Sequence, residues 1–176
     1  MKASVIGLWQ KLAQLQGSIY YWLTVALLAL SFESLALFYQ YQLHYGPCVL
    51  CIQTRVWVLA LLMVGLLGIG LCRWRWGGTL LHLLTLGVGI GLLERSWQLL
   101  GTERGWIFGS CSMDPGFPLW FALDRWLPQL FAPTEACGYT PELLFGVTMA
   151  EGLLLFSVVL LLWSLLFVVG NLLQRR

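Results

Sequence analysis

From Val49 to Cys72 the chain reads VLCIQTRVWVLALLMVGLLGIGLC, an apolar run whose one charge, Arg55, lies near its start. As a helix rising about 1.5 Å per residue, such a run crosses the roughly 30 Å hydrocarbon core of a bilayer. Three further stretches have the same character: Ser18–Tyr39, Trp76–Leu100 and Leu143–Leu173. The 176-residue chain is 59% hydrophobic and only 10% charged, too few charges to clothe a soluble globule. Unpaired amides are too costly in lipid, so the spans must be helices or closed barrels, and Leu-rich runs without alternation favour helices. The expected fold is an all-α membrane protein: one integral-membrane domain over 1–176, with transmembrane helices at about 18–39, 49–72, 76–100 and 143–173.

The net charge of +2 says little, but its placement orients the chain. Lys2 and Lys11 precede the first span, Arg73 and Arg75 separate spans two and three, and Arg175 and Arg176 end the sequence. The connection at about 40–48 has no Lys or Arg; the one at about 101–142 mixes Arg104 and Arg125 with Glu103, Asp114, Asp124, Glu135 and Glu142. The positive-inside rule puts both termini in the cytoplasm and both of these connections outside. Aromatic belts agree, with Tyr20, Tyr21, Trp74 and Trp76 at one interface and Phe38, Tyr39, Tyr41, Trp97 and Trp106 at the other. The first span is long and lacks a small-x-small cleavage site before Tyr39, which reads as an uncleaved anchor. No nucleic-acid patch, Gly-rich phosphate loop or internal repeat is present.

Within the second outer connection, Pro118–Phe131 reads as a short amphipathic helix. Helical projection gathers Trp120, Leu123, Trp126, Leu127 and Leu130 on one face and Asp124, Arg125 and Gln129 on the other. Pro118 suits a first turn, whereas Pro128 would kink or end the helix. Such an element is expected to lie flat on the outer membrane surface.

The remaining signal is sulfur. Cys72 falls at the cytoplasmic end of span two, with no partner cysteine on that side, and reads as a small apolar residue. Cys48, Cys51, Cys111 and Cys137 all face the outside, where cysteines pair. Four cysteines allow three pairings; proximity favours Cys48 with Cys51, leaving Cys111 with Cys137. In the chain-entropy model, closing the Cys111–Cys137 loop would contribute about 3–4 kcal/mol, so that pair has value as a staple. Cys48 and Cys51 enclose too little chain for that. Their position, after Pro47 and at the start of a helix, instead favours a thiolate through unpaired N–H groups. A zinc site is disfavoured, because Cys111 and Cys137 do not form a second tight pair. Two exchangeable pairs on one side of a membrane make an electron relay.

Arg55 follows Cys51 by one turn and presents its guanidinium on the same face. It is expected to stabilise a Cys51 thiolate and donate to a carbonyl ligand beside it. Counting along the helices puts Glu33 at a similar depth, which suggests a Glu33–Arg55 pair or proton delivery by Glu33. Glu151 and the Glu94–Arg95 pair read as structural.

Gly46-Pro47-Cys48-Val49-Leu50-Cys51-Ile52 with Arg55, followed by Cys111 and Cys137, resembles the DsbB family of bacterial inner-membrane thiol oxidases. The resemblance covers essentially the whole chain, including Ser31-Phe32-Glu33-Ser34-Leu35-Ala36-Leu37 and Leu123-Asp124-Arg125-Trp126-Leu127-Pro128-Gln129. It implies that a reduced DsbA-like, thioredoxin-fold partner in the periplasm attacks a Cys111–Cys137 disulfide, with Cys111 forming the mixed disulfide. It further implies that Cys137 passes electrons to Cys48, and that Cys51 reduces a ubiquinone or menaquinone held near Arg55. The chain departs from the family after Cys137, where Gly138-Tyr139-Thr140-Pro141 and Met149-Ala150-Glu151-Gly152 replace a Trp and a Met-Pro-x-Trp stretch. Three alternatives stand beside this reading. One is a specialised paralogue serving a dedicated DsbA-like partner. Another is an oxidase like vitamin K epoxide reductase, which would carry its Cys-x-x-Cys in its last helices. The third is a non-catalytic scaffold with a stapled outer loop. A transporter is disfavoured by the few polar residues in the spans.

Overall fold

A computed structural model describes residues 17–74, 76–107, 114–144 and 146–174. Cys111, Lys2, Lys11, Arg75, Arg175 and Arg176 therefore lie outside the described residues. In chain order the elements are α1 (Ile19–Tyr41), α2 (Val49–Leu71), α3 (Gly77–Glu103), a 3-10 turn at Leu119–Phe121, α4 (Leu123–Trp126) and α5 (Pro128–Phe131). A hairpin of β1 (Glu142–Leu144) and β2 (Val147–Thr148) then leads into α6 (Met149–Gln174). Helices α1, α2, α3 and α6 are each long and apolar enough to cross a membrane, as the apolar runs predict. Each of the first three packs on its chain neighbour, and α6 packs on α3.

The bundle has a membrane protein's distribution of polarity. Large apolar side chains such as Leu27, Met63, Ile90, Leu155 and Leu162 point outward and are exposed. The buried set includes Glu33, Arg55, His82, Thr85, Ser96, Ser157 and Ser164. Thr85, Ser157 and Ser164 donate to carbonyls one turn back in their own helices, and Glu33 faces Arg55. Glycines set the closest approaches. A Cβ on Gly65 would sit 2.9 Å from the Ala26 backbone nitrogen, and Gly68 and Gly91 lie flat against the rings of Trp22 and Trp57. The α1 face that enters the core repeats at helical spacing through Trp22, Val25, Ala26, Ala29 and Glu33.

Two elements differ from their sequence expectation. The fourth spanning helix begins at Met149 rather than near Leu143, because Glu142–Thr148 folds back as a hairpin turning at Gly146 (φ 77°). Thr148 and Glu151 then close a capping box: Glu151 N–H donates to Thr148 Oγ1 (3.4 Å) and Thr148 N–H donates to a Glu151 carboxylate oxygen (3.2 Å). The 118–131 segment is not one helix but three short pieces, broken at Ala122 (ψ 71°) and Leu127 (φ −135°, ψ 64°). Pro128 explains the second break, since its ring excludes helical backbone at the preceding residue. Leu119, Trp120, Trp126 and Leu127 are exposed, while Phe131 is buried.

Candidate functional site

Pro47 delivers the chain to α2 in extended backbone, and Cys48 takes the N-cap position (φ −82°, ψ 165°). Its sulfur accepts from the Cys51 N–H at 3.1 Å, doing what a serine oxygen does at most helix starts. Cys48 and Cys51 are joined as a disulfide across this first turn, with Cα atoms 5.0 Å apart. Cys48 is 2% exposed and Cys51 is half-buried, so the pair offers the Cys51 side to its surroundings. Unpaired N–H groups of a first helical turn favour negative charge on whichever sulfur is released there.

One turn along α2, the Arg55 guanidinium is oriented by four groups from two other segments. Nη1 donates to Gln40 Oε1 (2.7 Å) and to the Leu130 carbonyl (3.1 Å). Nε lies 3.5 Å from Glu33 Oε2, and the guanidinium carbon stands 5.7 Å from the centre of the Phe131 ring. Glu33 and Arg55 are both 7% exposed, so the depth matching made from sequence is realised as a buried ion pair. Removing one member of such a pair costs about 3–5 kcal/mol, because the other charge is left unpaired.

Beside these groups a cleft opens between α1, α2, α3 and α6. Its walls are mainly apolar (Phe32, Leu35, Val58, Leu99, Met149 and Leu153 among them), with Cys51, Thr54, Arg55 and Glu33 as its chemistry-bearing lining. A second cleft lies toward the loops at this end of the bundle, edged by Tyr39, Gln40, Tyr45, Glu135 and Tyr139. Cys51 and Arg55 line both.

The loops at this end of the bundle are stitched over this region. Thr134 N–H donates to the Pro47 carbonyl (3.0 Å), and a Cβ on Gly46 would meet the Thr134 and Glu135 side chains. Thr140 Oγ1 donates to Glu103 Oε2 (2.6 Å) at the end of α3. Cys137, between these two anchors, packs against the cluster formed by Cys48, Leu99, Leu100 and Ala150. Arg104 pairs with Glu151 nearby. Tyr139 stacks on Tyr45 with ring centres 6.0 Å apart, and the neighbouring Tyr45 hydroxyl raises the Tyr139 hydroxyl above its ordinary range.

Of the residues singled out from sequence, Cys48, Cys51, Arg55 and Glu33 come together, and Cys137 joins the Cys48 cluster. Cys111 falls within 108–113, outside the described residues. Cys72 is buried at the far end of α2, its thiol directed at the Ile69 carbonyl (3.7 Å). Glu94 and Arg95 bond only to Gln98 among the described residues. Sequence reasoning did not find Gln40, the Leu130 carbonyl or the Thr134 and Thr140 anchors. Only Gln40 had a signal, falling seven residues after Glu33 and so on the same face of α1.

A family model described as disulfide bond formation protein DsbB matches residues 18–167. Disulfide bond formation protein B 2 of Pseudomonas aeruginosa strain PAO1 is 34% identical over 154 residues, covering 86% of this chain and 89% of that protein. Disulfide bond formation protein B of Shewanella amazonensis is 38% identical over 146 residues, covering 81% and 85%. The protein of the same name from Shewanella denitrificans is 34% identical over 158 residues, covering 88% and 89%.

Proposed function

This chain belongs to the DsbB family of disulfide-forming membrane proteins, and from that premise we propose that it is a thiol:quinone oxidoreductase of the bacterial inner membrane. It reoxidises a DsbA-like dithiol protein in the periplasm, with both of its own termini in the cytoplasm. One observation carries the reading: Cys51, half of the Cys48–Cys51 disulfide, lines the same apolar intramembrane cleft as Arg55 and Glu33.

The residues of this cleft fit a ubiquinone or menaquinone. Apolar walls suit a flat ring and its isoprenoid tail, and a buried guanidinium suits a ring carbonyl. Among the described residues, both hydrogen bonds of Arg55 are made by Nη1, while the buried Nε, 3.5 Å from Glu33 Oε2, has no hydrogen-bond partner, so the guanidinium keeps donor capacity for such a carbonyl. When bound, the quinone supplies an acceptor for two electrons and two protons.

The chain's own sulfurs do the rest. A thiolate of the reduced partner attacks Cys111 of a Cys111–Cys137 disulfide and releases Cys137 as a thiolate. Cys137 attacks Cys48, and Cys51 leaves as a thiolate at the helix N-terminus beside Arg55. The partner's second thiol displaces Cys111, which in turn displaces Cys48 from Cys137. The partner and the Cys111–Cys137 pair end as disulfides, and Cys48 and Cys51 hold the electron pair for delivery to the quinone. The net change is one new disulfide in the partner and one quinone reduced to quinol.

The test mixes purified protein with reduced DsbA-like protein and a quinone, following quinone absorbance. Stoichiometric bleaching with partner oxidation is expected. No bleaching with the four outer cysteines intact, in the presence of both quinone types, would overturn the reading.

A further inference from the structure

Gln40 occupies a position whose hydrogen-bond logic admits one orientation. Arg55 can only donate and the Gln129 carbonyl can only accept, so the amide must turn its oxygen to Arg55 and its nitrogen to the loop. That is the arrangement present: Arg55 Nη1 to Gln40 Oε1 at 2.7 Å, and Gln40 Nε2 to Gln129 O at 2.9 Å. Tyr41 Oη also donates to Gln129 O (2.9 Å), and the next carbonyl, Leu130, accepts from Arg55 directly. Both carbonyls belong to α5, whose short helix leaves them without helical partners. Gln40 and Glu33 lie two turns apart on one face of α1 and hold the guanidinium between them. An arginine without such acceptors would snorkel toward the headgroups.

We propose that Gln40 is a positioning residue for Arg55, and that through it the loop turn Gln129–Phe131 is a structural part of the quinone site. The inference rests on the quinone reading above. It means that loop movement around α5 reorients the guanidinium facing the cleft, so the loop and the intramembrane site act as one unit.

The full-length protein in detergent is titrated with decylubiquinone and with menadione, reading tryptophan fluorescence quenching. Loss of one hydrogen bond to a charged group predicts about tenfold weaker binding in Gln40→Leu. Gln40→Met, unbranched and of similar length, repeats that test on a second side chain. Gln40→Glu keeps the acceptor toward Arg55 and is expected to restore most of the affinity. The Gln40→Leu/Arg55→Gln double variant should bind no more weakly than Arg55→Gln alone, since Gln40 acts through Arg55. In turnover, Gln40→Leu should raise the quinone KM more than it lowers kcat. Wild-type binding in both Gln40→Leu and Gln40→Met, with weakened Arg55→Gln, would overturn the positioning role while leaving the quinone site intact. An additive loss in the double variant would overturn it too. Absence of saturable quenching in the wild type would instead remove the quinone reading, and this inference with it.

Discussion

Cys48 combines two duties that a substitution separates. As N-cap its sulfur accepts the Cys51 N–H, and as half of a disulfide it closes a single helical turn. Serine is a preferred cap, and so short a cross-link removes little entropy from the unfolded chain. Cys48→Ser is therefore expected to keep the stability within about 1 kcal/mol of wild type, read as a small shift in thermal midpoint, while abolishing dithiol-dependent quinone reduction. A variant that still turns over would contradict a relay through Cys48; one that fails to fold would show that the turn itself is structural. That Cys48, Cys51 and Arg55 lie together could be read from the chain because spacing along one helix sets it. Gln40 could not, because its role depends on which loop carbonyl meets it across the bundle top, from residues far along the chain.

Helix pairing in this bundle rests on small residues meeting large ones. Gly65 touches the Ala26 backbone, whereas Gly70 and Gly87 have nothing within 4 Å of a built Cβ. Gly65→Leu should force α1 from α2 and cost about 1–3 kcal/mol, seen as a lower thermal midpoint in detergent. Gly70→Ala should be neutral or stabilise by up to about 1 kcal/mol through helix propensity. Equal midpoints for the two would contradict the close α1–α2 crossing. Hydropathy marked all four spans because length and apolarity are local properties. It misplaced the start of α6 because Leu143-Leu144 is apolar enough to pass for helix, although Thr148-Met149-Ala150-Glu151 already carries the spacing of a capping box. The 118–131 segment has amphipathic periodicity, but periodicity is silent on the backbone restriction that Pro128 imposes at Leu127.

Taken whole, the molecule is a four-helix membrane body whose loops at one end converge on one helix start. Thr134 bonds to Pro47 immediately before Cys48, Thr140 bonds to Glu103, and the stretch between them carries Cys137 to the Cys48 cluster. This convergence is the physical basis of the proposed relay, since sulfurs exchange only when they can meet. The charge pattern predicted that both segments share one side of the membrane, but not that hydrogen bonds pin one onto the other. The most direct measurement uses a Cys51→Ala/Cys111→Ser variant, in which Cys48 and Cys137 are the remaining outer cysteines. Mild oxidation in the membrane followed by mass-spectrometric mapping should yield a Cys48–Cys137 disulfide within one chain. Recovery of both as unlinked thiols, under conditions that leave the wild-type Cys48–Cys51 disulfide formed, would contradict the account.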